Sequence, residues 1–362
     1  MQYRRAASVA SPTMSASRVI SIPKLATAIL AHFDDTSPSL AAAALSCRGF
    51  LVPAQKRLFG KITLRSERGA ARLRVTLAGS PHLAAYIHTL CFSYVASLPV
   101  PGLDLLRLRK LVVLDCQTTA EFAAATSSLV LSSIAEISVL SSASGGREAV
   151  QYLSGVLQHP LHELSLTCGP LPHPVSTPNP QPPRKLLVDN LVLDGTLADL
   201  HNSLSALVDF PLLQSVTYHS TEMEHLPALL SACSQRCEAL TVYLSQPTSY
   251  PDLINLLPGI RTLTLTGITE SSIDSVGGLL RSQTPPRSPG MQIILCVDVY
   301  SPSLADDVLH WAWQELDALV AGMDNVESVH LTMTGAGKCT WGEGMLQSMF
   351  PVLHGQGKIS GA

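Results

Sequence analysis

The chain has 362 residues, of which 46% are hydrophobic, 14% charged and 5% aromatic, so it can form a large core built mainly from aliphatic side chains. Its formal net charge of −3 gives no reason to expect nucleic-acid binding. The charge is nevertheless uneven, because residues 1–75 carry 12 Lys and Arg against 3 Asp and Glu, whereas the rest of the chain carries 12 against 24. This split predicts two segments with different partners.

The first 19 residues contain no acidic residue and are rich in Ser and Arg. We expect a disordered tail at 1–19, and a transit peptide, which has a similar composition, is the alternative. Further along the chain, the uncharged run from Val75 to Leu103 is interrupted by Pro81 and Pro99. It therefore does not predict a membrane span, and we expect no membrane association.

The cysteines are scattered along the chain and form no C-x-x-C pair. This pattern predicts buried thiols in a reducing compartment rather than a disulfide framework or a zinc site. The chain also has no Asn-x-Ser/Thr sequence, which agrees with a cytoplasmic or nuclear location. We expect neither a bound metal nor a cofactor.

Helical periodicity begins in the stretch "SIPKLATAILAHF", where Ser21 can cap a helix and Pro23 suits its first turn. Its apolar residues fall on one helical face: Ile22, Leu25, Ala26, Ile29, Leu30 and Phe33. The stretch "SPSLAAAALSCRGFL" repeats this arrangement with Ser37 and Pro38, and its apolar face is Leu40, Ala44, Cys47 and Leu51. A third helix is predicted to open at Pro53 and to run into the strand-like "KITL".

Three short helices in about 45 residues bury too little surface to be stable alone, so this segment needs a neighbouring domain or a partner. The basic residues Arg48, Lys56, Arg57 and Lys61 favour an acidic partner. An ordinary solvated face would have the same composition.

The segment 20–63 opens with Ile22-Pro23, continues with Leu45, Cys47-Arg48 and Phe50, and ends with Leu58-Phe59. This order resembles the F-box, the helical motif that binds the Skp adaptor of SCF-type (cullin-RING) ubiquitin ligases. The following stretch "SPHLAAYIHTL" is similar to the segment after the F-box in many fungal F-box-like proteins.

The resemblance implies a non-catalytic receptor whose partners are a Skp-family adaptor, a cullin and a protein substrate, and which is monomeric outside that complex. It also implies a set of adaptor-binding residues: Ile22, Pro23, Leu25, Ile29, Leu40, Leu45, Cys47, Arg48 and Phe50.

The chain from 64 to 362 is predicted to be a repeat, because the pattern apolar-x-x-apolar-x-apolar recurs along it. The middle positions of this pattern are Leu90, Leu111, Ile137, Leu164, Leu191, Val216, Leu240 and Leu263, with a further one at Val329. The first eight are separated by 21 to 27 residues, which is the spacing of leucine-rich repeats. The stretch "MQIILCVDV" is predicted to add a strand in the wider gap after Leu263.

Helical patterns alternate with these strands, clearest in "GREAVQYLSGVLQ", "GTLADLHNSLSALVDF", "TEMEHLPALLSACSQR" and "SLADDVLHWAWQELDALVAGM". Proline-rich insertions near 169–185 and 281–290 interrupt the rhythm and are predicted to be loops, either solvated or partner-binding. The predicted fold is therefore α/β: a short all-helical motif followed by an irregular leucine-rich-repeat solenoid.

In such a solenoid the parallel strands line a concave face and the helices a convex face. Residues that flank the inward positions would face the concave side and bind a target protein. They are Lys110, Glu136, Ser138, Glu163, Ser165, Asn190, Thr217, Thr241, Tyr243 and Thr264. This face is rich in hydroxyl groups, which suits a peptide or protein surface; an exposed sheet face of no special function would also be polar.

One motif imitates a nucleotide site. In "TMTGAGKC" a Gly-Lys pair follows a predicted strand, but a P-loop needs a glycine where Thr332 stands and a hydroxyl where Cys339 stands. We expect a glycine turn there and no enzymatic activity in the chain. The main hypothesis is a substrate receptor, and the alternative is a leucine-rich-repeat scaffold whose F-box-like helices only cap the solenoid. Burial of Ile22, Ile29 and Phe33 against the first repeat would support the alternative.

Overall fold

A computed structural model describes residues 23–32, 38–93, 105–114, 133–141, 153–157, 159–168, 184–195, 204–205, 208–219, 226–233, 236–244, 259–281, 290–299, 312–335 and 342–361. Within these ranges the chain is an α/β protein built on one open, twelve-stranded sheet. All strand pairs are parallel, and the strand order in space is the order in sequence. The architecture is therefore solenoid-like, as the repeat spacing predicted.

The strands are β1 Lys61–Leu64, β2 Thr89–Ser93, β3 Lys110–Leu114, β4 Glu136–Ser141, β5 Leu161–Cys168, β6 Val188–Gly195, β7 Ser215–His219, β8 Ala239–Tyr243, β9 Thr262–Ile268, β10 Met291–Val299, β11 Val326–Gly335 and β12 Ile359–Gly361. The predicted strand in "MQIILCVDV" is confirmed as β10. The edge strand β12 was not predicted, because its three residues are too few to show an alternating pattern.

The sheet register brings the predicted inward residues into one continuous column. Leu90 pairs with Leu111, which pairs with Ile137, and the column continues through Leu164, Leu191, Val216, Leu240, Leu263, Ile293 and Val329. Each of these side chains is buried. A second apolar column, two residues along each strand, runs beside it from Phe92 to Leu331 and is buried too. Because strand side chains alternate, both columns face one side of the sheet.

Helices cover that side. The described ones after β1 are α4 Glu67–Gly79, α5 Leu226–Ala232, α6 Ile273–Arg281, α7 Trp313–Ala321, α8 Glu343–Met349 and α9 Pro351–Gly355. Their apolar residues join the inward strand residues in a single core cluster. The predicted helices in "TEMEHLPALLSACSQR" and "SLADDVLHWAWQELDALVAGM" are confirmed by α5 and α7. Residues 153–156 and 204–205 are helical within the other two predicted helices. The bulk of both proline-rich insertions, 169–183 and 282–289, lies outside the described residues.

The N-terminal segment contains three helices, α1 Pro23–Leu30, α2 Pro38–Ser46 and α3 Arg48–Gly60. One predicted boundary is wrong. The second helix does not continue to Leu51, because Cys47 adopts an extended conformation and its Sγ accepts a hydrogen bond from Gly49 N at 3.3 Å. Cys47 thus caps α3, which begins at Arg48 and contains Pro53 in its interior, so the helix does not open at that proline.

Helix α4 was missed by the sequence reading although its signals are present. Ser66 Oγ accepts a hydrogen bond from Gly69 N at 3.2 Å, and Glu67 occupies the first turn. Its buried residues are Ala70, Leu73 and Leu77, which share one helical face. The predicted boundary at 63/64 falls inside β1, so the sheet begins within the segment that resembles the F-box.

A buried carboxylate fixes the C-terminal end of the fold. The side chain of Asp317 on α7 is buried, and its Oδ2 and Oδ1 accept hydrogen bonds from Val352 N at 2.8 Å and Leu353 N at 2.9 Å. These amides lie in the first turn of α9, where no partner exists within the helix. On the same side, the Trp313 and Phe350 rings pack at 5.2 Å between centroids. Asp317 thus caps one helix from another. No helix in the described ranges is long and apolar enough to span a membrane.

We predict that Asp317→Ala lowers the free energy of unfolding by about 1–3 kcal/mol, because two amides of α9, one of them buried, lose their acceptor. Asp317→Asn should cost less, since the amide oxygen can still accept one of the bonds. The measurement is urea unfolding followed by circular dichroism, with Asp324→Ala at an exposed site as the matched control. Equal midpoints for Asp317→Ala and the control would contradict the capping role.

Candidate interaction surfaces

The N-terminal helices expose several large apolar side chains. Leu45 is 87% exposed, and four other large apolar residues of α1 and α3 are exposed as well: Leu25, Ile29, Leu51 and Val52. Exposed large hydrophobic residues elsewhere in the described chain are spread over separate repeats and the C-terminal helix, at Val75, Leu106, Leu140, Val156 and Val352. Because five such residues fall within three short helices, this segment is the candidate for an apolar interaction surface.

The predicted adaptor-binding residues divide into exposed and supporting ones. Leu25, Ile29, Leu45 and Arg48 are exposed, whereas Leu40 is fully buried in the core of the helical segment. Leu40 therefore holds the helices together and offers no surface to a partner.

Three further predicted residues have structural positions. Cys47 caps α3, and Phe50 is half-buried against the small core of the segment. Pro23 is the first residue of α1, and Ile22 lies outside the described residues.

The helical segment has a core of its own. Leu30, Leu40 and Ala54 form a buried cluster that is separate from the core of the sheet, with Leu58 packed against it. The next residue, Phe59, packs against the core of the sheet. Helix α3 therefore belongs to both units, and its two consecutive apolar residues join them.

A second contact anchors α3 to the first repeat. The helix packs on the 3₁₀ helix Pro81–Tyr86, where Lys56 Nζ lies 5.8 Å from the centroid of the Tyr86 ring. By contrast, Ile29 on α1 stays exposed, and Phe33 lies outside the described residues. The burial expected if the helices served only as a cap is thus not seen at Ile29.

The ten residues predicted for the target-binding face do lie on one face, the side of the sheet opposite the helices. Lys110, Glu136, Glu163 and Asn190 form one row of neighbours across β3–β6. The next row along the strands contains Ser138, Ser165, Thr217, Thr241 and Thr264. Nine of the ten are half-buried, and Ser138 is buried, so it adds little surface.

The charged residues of this face neutralise one another in part. Lys110 Nζ lies 2.8 Å from Glu136 Oε2 and 3.9 Å from Glu163 Oε1. One ammonium group therefore serves two carboxylates, and the cluster keeps one negative charge. Each side chain is about one-third exposed, so these ion pairs contribute little to stability, on the order of 1 kcal/mol or less.

The polar residues toward the C-terminal end of the sheet are linked by hydrogen bonds. Ser215 Oγ donates to Asn190 Oδ1 at 2.6 Å, and Tyr243 Oη donates to Asp298 Oδ2 at 3.4 Å. Thr334 Oγ1 also donates to Asp298. The sequence reading missed Asp298 and Thr334, although strict alternation along β10 and β11 places both on this face.

The Tyr243 side chain packs against a glycine. Its ring lies against Gly267, where an added Cβ would come within 2.8 Å of Tyr243 Cε2, and Gly267 has φ +71°. On the other side, the His219 ring lies 5.4 Å from the Tyr243 ring, centroid to centroid. Tyr243 is therefore a fixed, half-buried aromatic on a face that is otherwise mostly aliphatic and hydroxyl-bearing, which is the kind of residue that dominates protein interfaces.

The described cysteines carry no metal site. Cys91 and Cys237 are buried and Cys47, Cys233 and Cys296 are half-buried, all as free thiols. Burial raises the pKa of the Cys91 thiol, against the opposing effect of Lys61 and Arg65. A hydrogen bond between the Cys233 and Cys237 thiols lowers the pKa of Cys237 and raises the pKa of Cys233. In the described ranges no three His, Cys, Asp or Glu side chains come together as metal ligands would.

We predict that Gly267→Ala destabilises the fold by at least about 1–2 kcal/mol, because alanine is strained at positive φ and its methyl group meets the Tyr243 ring. The control is Gly278→Ala in α6, where nothing lies within 4 Å of the added Cβ. This helical substitution should instead stabilise by about 0.5–1 kcal/mol.

Thermal unfolding is the measurement: the melting temperature should fall in Gly267→Ala and rise in Gly278→Ala. Adding Tyr243→Ala to Gly267→Ala should recover only the steric part of the loss. If Gly267→Ala were as stable as the natural chain, the close packing of the Tyr243 ring on Gly267 would be wrong.

The chain matches no model of a known protein family, and no curated protein sequence matches it significantly. Its function is therefore argued from the surfaces described above.

Proposed function

We propose that the chain is a non-catalytic substrate receptor of an SCF-type ubiquitin ligase, in which α1–α3 bind the Skp adaptor and the open face of the sheet binds a target protein. The single observation that carries the proposal is the exposed apolar group Leu25, Ile29, Leu45, Leu51 and Val52. These residues lie in the segment whose sequence resembles an F-box, so resemblance and exposure point to the same segment.

The charge around this surface supports an acidic partner. Between residues 38 and 93 the chain holds the basic residues Arg48, Lys56, Arg57, Lys61, Arg65, Arg68, Arg72 and Arg74, against the single acidic residue Glu67. Complementary charge speeds encounter and selects partners, while the apolar group supplies affinity.

The proposed mechanism is positioning rather than chemistry. A receptor that holds a target beside a ubiquitin-charged enzyme raises the effective concentration of the target's lysine. The attachment of α3 to both cores suits this role, because Leu58 and Phe59 tie the helical segment to the sheet that would hold the target.

A second candidate is a scaffold in which the helices only cap the repeat sheet. The packing of Phe59 against the core of the sheet favours it, since at least the end of α3 covers the first repeat. The exposure of Ile29 and Leu45 counts against it, because a cap would bury its apolar face.

We predict that full-length protein co-elutes with the Skp adaptor and cullin as a stoichiometric complex, and that Leu45→Asp weakens this binding at least about tenfold. A charge placed in the centre of an apolar interface is left without a partner. The matched control is Val75→Asp on α4, since Val75 is 73% exposed and lies outside the apolar group.

Because Leu45 and Val75 are both exposed, neither aspartate should disturb folding, which circular dichroism can verify. If Leu45→Asp and Val75→Asp bound the adaptor equally well, Leu45 would not belong to the adaptor-binding surface. A folded, monodisperse chain that binds no adaptor would leave the scaffold as the better account.

A further inference from the structure

A depression of about 690 Å³ lies at the amino-terminal edge of β2–β4. It is lined by His88, Leu106, Arg107, Arg109 and Ser133, none of which belongs to the surfaces discussed above. Among the described residues its lining contains two arginines and no acidic side chain.

The short loop before β3 presents these side chains in a fixed way. Leu105 and Leu108 are buried in the core of the sheet, and Leu108 N donates to Leu105 O at 3.0 Å, which closes a turn. The residues between and after them, Leu106, Arg107 and Arg109, are therefore directed outward and are exposed. Two buried leucines thus anchor a loop whose cationic side chains face solvent.

The backbone of this loop is held by its neighbours. His88 Nδ1 donates to Arg107 O at 3.3 Å, and Ser133 Oγ donates to Leu108 O at 2.9 Å. Ala135 N donates to Arg109 O at 2.8 Å. Because these carbonyls are already bonded, the groups left to bind a ligand are mainly side-chain donors.

The guanidinium groups of Arg107 and Arg109 have no ion-pair or hydrogen-bond partner among the described residues. The same edge of the sheet offers a contrast at Arg261, whose Nε lies 3.9 Å from Glu238 Oε1. Two arginines that have no partner in the described ranges therefore lie beside one depression, and they give it local positive charge in a part of the chain that is acidic overall.

We propose that this depression binds the phosphorylated serine or threonine side chain of a protein partner. Guanidinium groups bind phosphate oxygens in pairs of parallel hydrogen bonds, and two such groups match the double negative charge of a phosphomonoester. Leu106, which is 71% exposed, offers an apolar contact to the residue beside the phosphate.

The shape of the depression selects a peptide over a small molecule. Its volume lies in the range of ligand pockets, but small-molecule sites bury most of their ligand, and here most lining side chains are exposed. A phosphorylated side chain needs no such enclosure, because the rest of the peptide binds the surrounding surface. The inference does not depend on adaptor binding; if the proposed function holds, it names the class of target.

The test is fluorescence anisotropy of the full-length chain with a labelled peptide that has one phosphoserine between two leucines and no other charge. Its unphosphorylated form should bind at least about tenfold more weakly. Arg107→Gln and Arg109→Gln should each weaken phosphopeptide binding about tenfold, since each removes charge-assisted hydrogen bonds. Arg261→Gln, the matched control, should change affinity less than about twofold.

Three results would overturn the proposal: no binding of the phosphopeptide at about 1 mM, equal binding of the two peptides, or full affinity in the double Arg107→Gln and Arg109→Gln variant. Inorganic phosphate that displaces the peptide at the peptide's own concentration would overturn the peptide assignment in favour of free phosphate. All three arginines are exposed, so the variants should melt at the temperature of the natural chain, and adaptor binding, measured separately, should be unaffected.

Discussion

The structure depends on one column of aliphatic side chains that runs across the parallel strands. Each member, from Leu90 to Val329, lies directly beside its counterpart on the next strand and is buried. Hydrophobic burial at this column holds every repeat to its neighbours, and a slip of one residue would turn a whole strand's apolar set toward water. The column therefore fixes the register, and the register fixes which side chains meet on the open face of the sheet.

The open face is a direct consequence of this constraint. Since alternate side chains of each strand must point away from the core, this face carries hydroxyl-bearing, charged and aliphatic residues, and the register sets which of them meet. Lys110 meets two glutamates, Asn190 meets Ser215, and Tyr243 meets Asp298. Many polar groups of this face are thus paired with one another. Its most distinctive feature is the Tyr243 ring, which packs on Gly267.

Two other regions leave side chains without a partner in the described chain. The helical segment keeps a small core and leaves Leu45 and its apolar neighbours exposed. The loop before β3 buries two leucines and leaves Arg107 and Arg109 without partners in the described chain. One surface lacks an apolar partner and the other lacks an anionic one, so the two are suited to different ligands. The helical segment lies in the basic first 75 residues, whereas the loop before β3 lies in the part of the chain that is acidic overall.

The repeat could be predicted from the sequence alone, because the spacing of Leu90, Leu111 and Ile137 is a local signal that each strand must satisfy. It also located the polar face, since alternation alone decides which side of a strand a residue occupies. It misplaced the start of α3 because the cap at Cys47 depends on a backbone conformation rather than on periodicity. It missed α4 although Ser66 and the spacing of its buried residues were available.

Which side chains contact one another could be seen only in the folded chain. Asp317 caps a helix 35 residues away, Tyr243 reaches Asp298 across β9, and Gly267 makes room for its ring. The pairing of the arginines also depends on the fold, because Arg261 lies near Glu238 whereas Arg107 and Arg109 have no carboxylate partner in the described chain. Periodicity is a property of neighbours in sequence, but pairing depends on the register between strands that lie some 25 residues apart. For this reason the pattern could predict the faces of the protein, and only the assembled sheet showed which side chains on them remain available for binding.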